Sequence, residues 1–228
     1  MASSAITLSV DAIGEASLAG VHVGTSGWSY PSWKPGFYPA GTDAKAFLGF
    51  YADRFSTVEL NTTGYRLPGE EQFERWAAQT PPGFRFAPKL AGNRPWLLAE
   101  FAPRVRALGD RLGPTRVQLI SARDEGMIEL VLGSLDPRFP VAFDLEHPSW
   151  DGIEPRLASA GAVRVNDLEH DAPFRYVRFR DPPYDDEQLR AWAGRLRDVD
   201  VPLFAYFRHE DEPTAPAYAG RLLELLAQ

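Results

Sequence analysis

Thr57-Val58-Glu59-Leu60-Asn61-Thr62-Thr63 sets the apolar Val58 and Leu60 in alternation with the polar Glu59 and Asn61. Successive strand side chains point to opposite faces. The stretch therefore reads as a strand with one face turned to packed helices and the other carrying polar groups. Outward from it, strand-like and helix-like segments alternate almost throughout. The other strands fall at 21–28, 84–89, 115–120, 140–146, 162–167, 174–180 and 202–207. Helical apolar spacing marks 43–55, 69–79, 95–112, 125–135, a short piece at 154–160, then 185–198 and 215–227.

Eight strands and seven helices result, with one helix position skipped before the seventh strand. Strands separated by helices imply parallel βαβ units. Eight such units favour a closed, TIM-like (β/α)8 barrel, with an open doubly wound sheet as the alternative fold. The 228 residues are enough for one such barrel. With no internal repeat or long linker, residues 21–228 form a single domain behind a loosely attached arm, 1–20.

The same alternation places polar residues on one face of nearly every strand. The inward set is Glu59 and Asn61, Lys89, Gln118, Asp144 and Glu146, Arg164 and Asn166, then Tyr176, Arg178 and Arg180, and Tyr206 and Arg208. Five cations (Lys89, Arg164, Arg178, Arg180, Arg208) face three anions (Glu59, Asp144, Glu146). Buried charge is costly unless paired, so such a lumen holds ion pairs, water or a ligand. The C-terminal ends of barrel strands are also where barrel enzymes place their chemistry.

The formal net charge of −7 argues against a duplex nucleic acid partner, which normally needs a basic excess. A net-basic mouth in an acidic protein instead suits a small anionic ligand, a phosphate, carboxylate or sugar acid. There are no cysteines, so disulfides, thiolate metal sites and a Cys nucleophile are excluded. No run approaches the ~20 apolar residues of a spanning helix, and the first twenty residues make a poor signal peptide. The expectation is a cytoplasmic protein.

Glu59 suits a general base or a metal ligand; the simpler role is an internal partner for Lys89 or an arginine. His147 follows two inward carboxylates and suits either proton exchange near neutral pH or a loop hydrogen bond. Asp144, Glu146, His147 and Asp167 are oxygen and nitrogen donors for Mg²⁺ or Mn²⁺, but no tight ligand spacing accompanies them. No metal site is assigned, and without a P-loop or GxGxxG pattern the sequence names no cofactor. Trp28, Tyr30, Trp33 and Trp150 follow strand ends, where they stack on a ligand or cap the barrel. Trp76, Trp96 and Trp192 lie on helices and read as core.

Gly24-Thr25-Ser26-Gly27-Trp28-Ser29-Tyr30, Trp33-Lys34 and Phe37-Tyr38-Pro39 open a series of motifs. It continues through Val58-Glu59-Leu60-Asn61-Thr62-Thr63, Tyr65-Arg66-Leu67-Pro68 and Phe86-Ala87-Pro88-Lys89. Gln118-Leu119, His147-Pro148-Ser149-Trp150 and Tyr176-Val177-Arg178 complete it. In this order, over roughly residues 22–225, the chain resembles the domain-of-unknown-function 72 family, the YecE-like proteins. The resemblance implies a TIM barrel and no established reaction. It places Glu59, Asn61, Lys89, Gln118, His147, Trp150 and Arg178 at the mouth. The chain departs from the family pattern where a cation becomes Glu146 and a histidine becomes Arg180, as a divergent, shortened member would.

The functional expectation is an enzyme acting on a small anionic substrate. Glu59 or His147, beside Asp144, would be the acid or base. Lys89, Arg178, Arg180 and Arg208 would clamp the anion, Asn61 and Gln118 would orient it, and Trp150 and Tyr206 would complete the substrate site. The alternatives are a non-catalytic binding module for an anionic metabolite and a divalent-metal-dependent hydrolase or isomerase.

Overall fold

The computed structural model describes residues 20–91, 95–135 and 139–228, without the side chains of 95 and 96. The expected arm, apart from Gly20, and the side chain of Trp96 lie outside the described residues. Eight strands form the barrel wall: β1 (Val21–Ser26), β2 (Thr57–Leu60), β3 (Arg85–Ala91), β4 (Thr115–Leu119), β5 (Val141–Leu145), β6 (Val163–Arg164), β7 (Arg175–Phe179) and β8 (Leu203–Phe207). The pairings are parallel and run in the order β6-β5-β4-β3-β2-β1-β8-β7, with Val21 of β1 opposite Leu203 of β8.

The helices are α1 (Phe47–Ala52), α2 (Glu70–Ala78), α3 (Pro95–Val105), α4 (Glu125–Ser134), α5 (Glu154–Ser159), α6 (Asp186–Arg197) and α7 (Thr214–Leu226). No helix joins β6 to β7, which is the skipped position. Each helix buries an apolar stripe against the strands, through Phe47, Phe73, Phe101, Ile128, Leu157, Leu189 and Leu222 in turn. α6 starts where Asp185 accepts from the Gln188 backbone N–H at 2.8 Å and the Gln188 side chain accepts from the Asp185 N–H at 2.9 Å. This reciprocal cap satisfies two N–H groups that the helix itself leaves unpaired.

The strand ladder does not close between β6 and β7, and Asn166 bridges the gap. Its backbone N–H donates to the Tyr176 carbonyl at 2.9 Å. Its side-chain oxygen accepts from the Arg178 N–H at 2.6 Å and its amide nitrogen donates to the Arg178 carbonyl at 3.1 Å. One side chain thus reproduces both bonds of a missing strand residue. The backbone there has φ +66°, a left-handed conformation that asparagine tolerates better than most residues.

The lumen is layered. Toward the N-terminal end it is apolar, filled by Ala87, Ala142, Val163, Val165, Phe174, Tyr176, Phe204 and Tyr206. The first charges lie in register with part of this layer, Glu59 opposite Ala87 and Arg116 opposite Ala142. Two expectations change as a result. Val163 and Val165 of the sixth strand face the lumen, so Arg164 faces the helix layer, where it pairs with Glu154 and Asp151. Tyr206 is fully buried in the deep layer, its hydroxyl 2.7 Å from that of Thr57, and is not part of the mouth.

Asn166→Gly keeps the backbone conformation but removes both side-chain bonds, and is expected to cost about 1–3 kcal/mol. Asn166→Ala adds about 1 kcal/mol for a Cβ in a left-handed conformation. Urea unfolding of the two variants checks this, and equal losses would contradict the assigned backbone strain.

Candidate functional site

Glu59, next to last in β2, has no exposed surface and gathers four partners. Its Oε2 accepts from Ser26 Oγ at 2.7 Å and its Oε1 from the Tyr176 hydroxyl at 2.8 Å. Arg116 Nε lies 2.9 Å from Oε1, and Arg178 Nη2 lies 3.0 Å from Oε2. Arg116 then reaches Asp144 Oδ2 through Nη1 at 2.6 Å and Asn61 Oδ1 through Nη2 at 3.3 Å. Arg180 holds the other oxygen of Asp144 and comes within 3.6 Å of Glu146. Gln118 donates to Glu146 at 2.6 Å.

Glu59, Asn61, Gln118, Asp144, Arg178 and Arg180 are therefore brought together, as the alternation of strand faces implies. The sequence reading missed their centre, Arg116, which is fully buried. The signal was present: in Thr115-Arg116-Val117-Gln118-Leu119 the rule that turns Gln118 inward turns Arg116 inward too. Arg116 replaces Arg164 in the lumen, leaving five cations against three anions.

Burial alone would raise the Glu59 pKa. The charges of Arg116 and Arg178, with the hydrogen bonds from Ser26 and Tyr176, outweigh it and hold the carboxyl at about 2. A carboxylate this acidic is ionised at neutral pH and is a poor proton acceptor. In this geometry it holds two arginines, the internal-partner role that its sequence position also allowed.

His147 is exposed on the loop after β5, with Nδ1 accepting from the Ser149 backbone N–H at 3.1 Å to cap a short turn. It lines neither cleft described below, so the geometry supplies no substrate proton for it to exchange. Trp150 has no exposed surface for a ligand. It is core, its indole N–H bonded to the Ser121 carbonyl at 3.0 Å. Trp33 is likewise fully buried. Arg208 is exposed, with Nη1 3.4 Å from the Arg180 carbonyl.

The suggested metal donors do not converge. Asp144 is held by arginines, Glu146 by Gln118, and Asp167 by His170 at 3.1 Å. Among the described residues no three His, Asp or Glu side chains are grouped to hold an ion.

Beside the charged centre, between the β1 and β2 loops and α2, lies a cleft of about 900 Å³. Its apolar wall is Trp28, Tyr30, Tyr65 and Trp76, with Trp28 set edge-on to Trp76 at 5.2 Å. Tyr30 stacks on His209 at 4.6 Å and donates to the Ser26 carbonyl at 2.8 Å. Burial, then the Glu59 charge, push the Tyr30 phenol up to about 12, so it stays neutral. The basic part of the wall is Lys45, Arg66 and Arg75. Trp28 and Tyr30 were read as ligand-stacking or capping groups. Trp76 was read as core, but it both packs on Phe73 and faces the cleft.

The Glu59 network sets a pH limit. Its folded-state value lies below the ordinary carboxylate value of 4.5, so its stabilisation is complete above that value and is lost as pH falls toward about 2. The contribution is on the order of 3 kcal/mol. Urea unfolding across this window is expected to show a steep acid loss in the parent protein and a flatter one in Glu59→Gln. The same slope in both would remove Glu59 as the acid-sensitive group.

Comparison with known proteins agrees with this architecture. A family model described as "Protein of unknown function DUF72" matches residues 22–228. The UPF0759 protein YecE of Escherichia coli K12 is 30% identical over 142 residues, 57% of this chain and 50% of that protein. The same holds for YecE of E. coli O157:H7. The chain spans about half the length of these curated relatives. The crystal structure of a DUF72 family protein from Enterococcus faecalis V583 at 2.52 Å superposes with a TM-score of 0.75 at 13% identity, over 91% of this chain and 98% of that one. A second structure of it, at 3.10 Å, gives 0.76 at 15% identity, over 91% and 96%. At such identities the likeness is one of fold. The match over nearly the whole described chain settles the family: this protein belongs to DUF72.

Proposed function

We propose that the chain binds a small anionic ligand with a flat or apolar portion in the cleft beside β1 and β2. One observation carries this reading. In a protein of net charge −7, the sole carboxylate among the cleft-lining residues is Glu59, already tied to two arginines, while Lys45, Arg66 and Arg75 line the same space. Such a wall focuses positive potential where an anion would sit. Trp28, Tyr30 and Trp76 offer ring faces and edges to the rest of the ligand, and the volume lies within the ordinary range for small-molecule sites. Phosphorylated sugars and nucleotides have this combination of charge and ring.

Ligand capture is favoured over turnover through Glu59 or His147. Glu59 is too acidic to shuttle protons at neutral pH, and His147 lies away from the cleft. Asn61 remains the orienting group expected of it, since it lines the cleft and touches Arg116. Among the described residues no helix is long and apolar enough to cross a membrane. A chain without cysteine is compatible with a reducing, cytoplasmic setting for such a ligand.

Thermal unfolding in AMP, glucose 6-phosphate or inorganic phosphate, against chloride of matched ionic strength, tests the proposal. A ligand at 100 times its Kd stabilises by about 2.7 kcal/mol, roughly 5–10 °C for a chain of this size. The shift is expected to fall sharply in Arg66→Ser and Arg75→Ser, whose side chains contribute little to the core. Shifts equal to those in chloride would contradict an anion site.

A further inference from the structure

Of the 24 basic residues only three are lysines, Lys34, Lys45 and Lys89. Every other inward-facing cation of the barrel is an arginine, whose guanidinium stays protonated and is no nucleophile. Lys89 is only 5% exposed, on β3 directly across the ladder from Arg116. Its stem passes Gly64, where even a Cβ would come within 2.9 Å of Lys89 Cδ. Its Nζ lies 3.4 Å from the Tyr65 hydroxyl and 4.7 Å from the centre of that ring. Among the described residues no carboxylate forms an ion pair with it. The lysine lines a cavity of about 260 Å³ with Gln118 and Ser121, adjoining the larger cleft at Tyr65, which lines both.

We propose that Lys89 is an imine-forming lysine whose amine condenses with a small aldehyde or ketone held in this cavity. Two features prepare it. Burial, then the adjacent Arg116 charge, lower its pKa from the ordinary lysine value and so favour the neutral amine. Desolvation and a neighbouring cation are established ways of activating an amine for Schiff-base chemistry. The nitrogen lone pair attacks the carbonyl carbon, a C–N bond forms, and a proton moves from nitrogen to oxygen to give a carbinolamine. The C–O bond then breaks, the oxygen leaves as water with one further proton, and a C=N bond remains. Tyr65, whose hydroxyl lies 3.4 Å from Nζ, is placed to deliver that proton. A volume of about 260 Å³ suits a small carbonyl compound.

The test uses the intact protein at neutral pH with glyoxylate or dihydroxyacetone and sodium cyanoborohydride, which reduces an imine to a stable amine. Peptide mass spectrometry then compares the three lysines. The expected result is an adduct at Lys89 that forms faster than at Lys34 and Lys45, neither of which lines this cavity. It should be absent from Lys89→Arg, whose guanidinium cannot form an imine. If that variant does not fold, competition of the three lysine side chains of the parent protein for trace acetic anhydride decides instead, with Lys89 expected to react first among them. Equal labelling of all three lysines, or none at Lys89, would overturn the proposal, whatever the larger cleft binds.

Discussion

Arg116 lies between Glu59 and Asp144 inside the barrel, and the arrangement of the mouth follows from that contact. Removing these charges from water costs several kcal/mol per ion, which is recovered only where geometry and additional hydrogen bonds are good. Here Glu59 takes four partners and Asp144 is held from two sides, so neither carboxylate is left bare. The arginines are fixed in turn. Arg178 sits on β7 beside the Asn166 seam, so one set of contacts reaches from β1 and β2, through β4 and β5, to the strand edge where the backbone ladder is open.

The network also decides which groups have chemistry left to perform. A carboxylate clamped by two guanidinium groups is a fixed charge, and Tyr30 beside it is a fixed neutral phenol. The same positive interior acts in the opposite sense on Lys89, which lacks a carboxylate partner among the described residues and sits against Arg116. A single buried cation thus stabilises the anions on one side and discourages protonation of the amine on the other. The mouth then has two adjoining compartments, an aromatic and basic cleft at β1 and β2 and a small lysine-lined cavity at β3 and β4.

Most of the barrel was legible in the sequence because period-two alternation and helical spacing are local properties. That is why Glu59, Gln118, Asp144 and Arg178 could be placed inward from their strands alone. The failures have physical reasons. Arg164 was turned inward by taking the alternation of the sixth strand in the wrong phase, whereas Val163 and Val165 on either side of it fill the lumen. Trp150 looked like a ligand group because it follows a strand end, and Tyr206 because its strand turns it inward, but depth is a property of packing and not of spacing. The basic wall of the cleft, Lys45, Arg66 and Arg75, comes from two separate loops and a helix that only the fold brings together.

The measurement that tests this account most directly is a double-mutant cycle on the central pair, with Glu59→Gln, Arg116→Met and the combination unfolded in urea. Each single change strands a buried charge and is expected to destabilise by about 3–5 kcal/mol. The double variant is expected to recover roughly 2–3 kcal/mol of the summed loss, a coupling typical of residues in one buried network. Losses that add to within about 0.5 kcal/mol would show that the two groups act independently and that the mouth is not organised around their contact.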